Sequence, residues 1–139
     1  MPSRSFSYNR GGIVNTRRYV IFSLGCLLWI NALALGQKPP EGALTGEITG
    51  TEAKFGNLLA NVSASKFLKL GYRFGDNVQI LIAGKPYTIP FVVTFSDVPR
   101  GKPLLYINTY QNLTIAVNQG SAQKFFNVTP PASLVILKK

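Results

Sequence analysis

Asn112-Leu113-Thr114-Ile115-Ala116-Val117-Asn118 places Leu113, Ile115 and Val117 on one side of an extended chain, with Thr114 and Ala116 on the other. Successive strand side chains point to opposite faces, so an apolar residue at every second position predicts a strand with one face on a core. Asn77-Val78-Gln79-Ile80-Leu81-Ile82 repeats the pattern through Val78, Ile80 and Ile82. Outward from these two, runs rich in β-branched, Leu and aromatic residues predict strands over 44–49, 57–62, 87–95, 103–107 and 133–137. Gly75-Asp76, Gly84-Lys85-Pro86, Pro99-Arg100-Gly101 and Pro130-Pro131 punctuate them. Glycine admits left-handed backbone there, and proline lacks the amide donor that a ladder needs. Short helices are expected over 64–70, stopped by Gly71, and over 121–126, begun at Ser121. The expected class is all-β: a small barrel-like or sandwich domain of about seven strands with one or two short helices. Strand spacing alone suits either architecture.

A hydrophobic content of 46% against 14% charged residues excludes a disordered chain. The formal charge is +10, but Arg4, Arg10, Arg17 and Arg18 precede the folded part; from Lys38 onward eleven Lys/Arg face five Asp/Glu, a net of +6. These cations are scattered along the chain, and no helix-turn-helix, zinc-finger or RNP-like aromatic pattern accompanies them. They read as solvated surface, and nucleic acid is not an expected partner. Cys26 is the only cysteine and there is no histidine. The folded part therefore offers no disulfide, no Cys/His zinc site and no histidine base, and neither metal nor resident cofactor is expected.

Arg17-Arg18 is followed by an apolar run over 19–30 and then by Ala32-Leu33-Ala34-Leu35-Gly36. A basic start, an apolar centre and small residues at the end match a signal peptide. Residues 1–36 are thus expected to be a polar leader plus signal, directing export to the periplasm or the exterior. The alternative is an uncleaved membrane anchor formed by 19–36, because no charge lies between Arg18 and Lys38. Residues 37–42, with Pro39-Pro40, read as an extended linker, and the domain spans 43–139. Mass spectrometry of the exported protein is expected to find a chain starting near Gln37; an intact Met1 end on soluble protein would reject the signal reading.

Three further stretches carry a resemblance. Phe55-Gly56-Asn57-Leu58, Val93-Thr94-Phe95-Ser96-Asp97-Val98-Pro99-Arg100-Gly101, and Ile107-Asn108-Thr109-Tyr110 leading into Leu113–Ala122 occur in that order. Over roughly 46–137 the chain resembles the C-terminal domain of the S-adenosyl-L-methionine hydroxide adenosyltransferase (fluorinase/chlorinase) family. The resemblance implies a β-barrel-like module that grips the adenine and methionine ends of S-adenosylmethionine, while the larger N-terminal domain of a neighbouring subunit supplies the nucleophile. It implies as partners an adenosine-type small molecule and either a homotrimer or a separately supplied N-terminal-domain chain. The family reaction would be hydrolysis of S-adenosylmethionine to adenosine and methionine. With no histidine and only Glu41, Glu47, Glu52, Asp76 and Asp97 as acids, the chain is not expected to catalyse it alone.

By the same resemblance, Phe55 and Phe95 line an adenine pocket, and Asn57 offers its amide donor and acceptor to the base edge. Asn118 and Gln119 form a strand-to-helix turn whose backbone reads the adenine. Glu52 holds the methionine ammonium, and Thr109 and Tyr110 contact the methionine end. Val117 stands where halogenating members carry an arginine, and the arginine expected near Tyr110 is absent, so halide chemistry is not implied. Read by residue type alone, Phe55 and Phe95 are ordinary barrel-core aromatics and Glu52 is a solvated acid beside Lys54. The competing function is an exported structural or interaction domain that reuses the barrel.

Overall fold

Hydrophobic alternation becomes seven strands: β1 (Leu44–Thr51), β2 (Leu58–Ser63), β3 (Asn77–Ile82), β4 (Lys85–Pro90), β5 (Pro103–Ile107), β6 (Asn112–Val117) and β7 (Ala132–Ile136). Two short helices join them, α1 (Ala64–Leu68) and α2 (Ala122–Phe126). This computed structural model describes residues 38–139; the proposed leader, signal or anchor lies outside the described residues. Every named ladder is antiparallel, in the order β4-β3-β7-β1-β2-β6-β5. The two edges then meet. Phe91, just past β4, bridges Leu105 of β5 in parallel, and the Val92 amide donates to the Leu105 carbonyl at 2.9 Å. The architecture is therefore a nearly closed barrel rather than a sandwich.

Val78, Ile80 and Ile82 from β3 and Leu113, Ile115 and Val117 from β6 all enter the main core, with Leu58, Phe67, Phe91 and Leu134. The opposite face of β6 is not wet, as simple alternation would have it. Ala116 packs with Val92, Val98, Leu104 and Tyr106 in a second cluster beneath the 91–102 loop. That loop also corrects the predicted strand over 87–95. The ladder stops at Pro90, and Phe95–Asp97 forms a 3-10 turn in which the Asp97 carboxylate accepts the Thr94 amide at 3.1 Å. A local side-chain acceptor here satisfies backbone that would otherwise have extended the strand.

Serine caps start both helices: Ser63 Oγ accepts the Lys66 amide at 3.4 Å and Ser121 Oγ accepts the Lys124 amide at 3.3 Å. The C-terminus is tied back to the barrel. Tyr72 donates its hydroxyl to the Leu137 carbonyl at 2.8 Å, and Lys139 Nζ lies 2.7 Å from Asp76 Oδ2. That ammonium, aided by the Arg73 amide donating to the same oxygen at 2.8 Å, holds the Asp76 carboxyl below the usual carboxylate range. A carboxylate depressed on folding adds stability above its unfolded value of about 3.9 and loses it as pH falls through the folded value. Denaturant titrations of wild type and Asp76→Asn are expected to differ modestly at pH 6 and to converge in acid, once pH has fallen through the folded value of Asp76. A gap that persists in acid would mean the tie is not electrostatic.

Candidate functional site

Three loops converge at one end of the barrel. The first is the β1–β2 turn, closed by the Glu52 amide donating to the Asn57 carbonyl and the Gly56 amide donating to the Glu52 carbonyl, both at 2.8 Å. Gly56 has φ +72°, and a Cβ there would run into Ser121, approaching its Cβ to 2.9 Å. Only glycine lets this turn press onto the start of α2, where the Gln123 amide donates to the Gly56 carbonyl at 2.9 Å. The second loop is the β6–α2 turn, with Gln119 left-handed at φ 55°. The third is the 91–102 loop, fastened to the second by Asn118: its Nδ2 donates to the Val98 carbonyl at 2.9 Å, and its own carbonyl accepts the Gly101 amide at 2.7 Å.

Between these loops lies a cleft of about 540 Å³, a size that suits a small organic molecule. Phe55, Asn57, Phe95, Asn118 and Gln119, expected at the site, all line it. Lys54, Val117, Gly120 and Ser121 complete the lining. The core reading of the two phenylalanines is corrected: Phe55 is 53% exposed and Phe95 37%, at the cleft rather than in the barrel interior. Thr109 and Tyr110 lie elsewhere, exposed in the β5–β6 turn, where the Tyr110 amide donates to Asn108 Oδ1 at 2.9 Å. Neither lines the cleft. Lys54, Gly120 and Ser121 are among the lining residues that sequence reasoning passed over. Adjacency to Phe55 and the helix-capping position were the signals that could have found them.

Glu52 is half-buried behind the cleft, outside its lining, with Oε2 accepting Asn57 Nδ2 at 2.7 Å. A carboxylate only accepts, so this bond fixes the amide: the nitrogen faces Glu52 and Oδ1 is left over. One of the two N–H donors of Asn57 is thereby engaged, and the amide keeps its second N–H and Oδ1. Oδ1 is buried without a partner, and Asn57 as a whole is 1% exposed. An orphaned acceptor of this kind costs about 1–3 kcal/mol, which a ligand N–H reaching it would recover once the cleft floor yields. Tyr106 stands beside this group, its ring 5.2 Å from that of Phe95. Burial, and then the Glu52 charge, push its hydroxyl upward, so it stays neutral and able to donate at physiological pH. Lys54 holds its ammonium 4.9 Å from the centroid of the Phe55 ring.

Fold and site together define a small β-barrel domain with a loop-end cleft that is aromatic on its walls and amide-bearing on its floor. Residues 46–135 match the family model of the SAM hydroxide adenosyltransferase C-terminal domain, and the chain belongs to that family. It is 28% identical over 101 residues to a fluorinase from Actinopolyspora mzabensis, covering 71% of this chain and 34% of that enzyme. Against a fluorinase from an Actinoplanes species the identity is 29% over 99 residues, covering 70% and 33%. The chain thus spans about a third of the length of these curated relatives. Among solved structures, an uncharacterized conserved protein from Thermotoga maritima superposes with a TM-score of 0.66 at 28% identity, covering 71% of this chain and 37% of that one. A conserved hypothetical protein from Thermus thermophilus gives 0.52 at 26% identity, covering 76% and 48%.

Proposed function

We propose that this domain binds an adenosine-type small molecule in the loop-end cleft and does not by itself transform it. The observation that carries the reading is the convergence of Phe55, Asn57, Phe95, Asn118 and Gln119, from three separate loops, on one cleft. Two flat rings offer stacking to a purine, and an amide floor with one spare acceptor suits an amino-bearing base edge. The lining residues include no carboxylate, and none pairs a nucleophile with a base. Binding is weak on this account. One or two stacks of about 1–3 kcal/mol each and an amide hydrogen bond of about 1 kcal/mol work against ordering costs, which gives a Kd on the order of 0.1–10 mM.

Exposure of Phe55 and Phe95 in the free domain fits a half-site that a second chain completes, whether another copy or a separate N-terminal-domain partner. Export directed by residues 1–36, or anchoring in a membrane by 19–36, remains part of the proposal. Adenosine titrated to millimolar concentration is expected to shift the NMR signals of Phe55, Asn57, Phe95 and Gln119, with no turnover on prolonged incubation. Silence at all four residues would leave the interaction-domain reading in its place.

A further inference from the structure

We infer that the cleft selects an anionic ligand, a nucleoside carrying phosphate, over the cationic S-adenosylmethionine; this rests on the nucleoside reading above and adds a charge preference to it. Lys54 is the only charged side chain in the lining. Its ammonium is drawn onto the face of the Phe55 ring, so a positive charge and a stacking surface sit side by side. A ligand with a planar base and an anion a few bonds away matches that pairing.

The surroundings reinforce it. Arg100 and Lys102 flank Gly101, whose amide is bonded to the Asn118 carbonyl, and the Lys124 amide is bonded to Ser121 Oγ. All three cations are exposed on segments that build the cleft. Among the described residues the only ion pair is Lys139 with Asp76, so none of these cations is matched by an acid. The two acids on the same loops keep their charge but lie outside the lining, Glu52 accepting from Asn57 and Asp97 from the Thr94 amide. A sulfonium or ammonium group entering the cleft meets no lining carboxylate and one ammonium, which disfavours it, whereas a phosphate meets the reverse. The excess of eleven Lys/Arg over five Asp/Glu from Lys38 onward attracts anions at longer range.

The test is titration of the 139-residue chain with adenosine, adenosine 5′-monophosphate and S-adenosylmethionine, by calorimetry or chemical shift. The monophosphate is expected to bind about tenfold more tightly than adenosine at low salt, with S-adenosylmethionine weakest. Raising salt to about 0.5 M should shrink that preference severalfold, because the Debye length falls to about 4 Å. Lys54→Gln, at an exposed position, should reduce the preference without changing the melting temperature, and Lys54→Glu should invert it. If adenosine binds but the monophosphate gains nothing, or if S-adenosylmethionine binds as well as the monophosphate, the charge preference is wrong while the nucleoside reading stands. A preference untouched by both Lys54 variants overturns it too. If none of the three ligands binds, the nucleoside reading itself has failed and this inference with it.

Discussion

Replacing Phe91 by alanine is expected to remove about 3–5 kcal/mol of stability, the range for truncating a buried aromatic. Phe91 is fully buried, meets Phe67 edge-on at 4.8 Å and stacks on Phe74 at 4.6 Å. Its backbone is equally committed: the amide donates to the Asp76 carbonyl at 2.8 Å and its carbonyl accepts the Gly75 amide at 2.7 Å. It is also the residue at which the β4 edge meets β5, so the cavity opens where the barrel closes. A domain of this size has a total stability of about 5–15 kcal/mol, so the loss takes about a fifth of it or more. Thermal melts followed by circular dichroism should show a midpoint lower by at least about 12 °C. Phe74→Ala is the control. Phe74 is 59% exposed and touches the same ring from outside, so its removal should cost only about 1 kcal/mol. Equal midpoints for the two variants would mean that closure at Phe91 does not hold the barrel together.

Phe95→Ala is the second large effect, and it should act on binding rather than on folding. The ring is partly exposed, and its aromatic neighbour is Tyr106 at 5.2 Å. Truncation therefore forfeits about 1 kcal/mol of packing, far short of a core deletion. Loss of one base stack, about 1–3 kcal/mol, should weaken nucleoside binding about tenfold or more. Phe95→Tyr, which keeps the π-face, should retain most of the affinity. A variant as stable as wild type that binds adenosine unchanged would remove Phe95 from the site. One that unfolds would restore the core reading that the structure displaces.

Sequence alone determined the class of fold and most strand positions, because period-two burial is a local property. Val78, Ile80 and Ile82, or Leu113, Ile115 and Val117, must face one way whatever they pack against. Likeness to a known family, rather than periodicity, singled out Phe55, Asn57 and Phe95. Their residue types taken alone pointed to the core. What only the tertiary structure decided is how the ends meet. Barrel rather than sandwich follows from the bridge between Phe91 and Leu105, a contact between residues 14 positions apart that no local pattern encodes. The stop at Pro90 depends on the Asp97 carboxylate winning the Thr94 amide, and the burial of β6 on its second face, through Ala116, depends on where the loop then lies. The same holds for Asn57. Its amide is versatile in sequence, and only the carboxylate of Glu52 at 2.7 Å sets its orientation, nitrogen toward the acid and Oδ1 away, because a carboxylate accepts and does not donate.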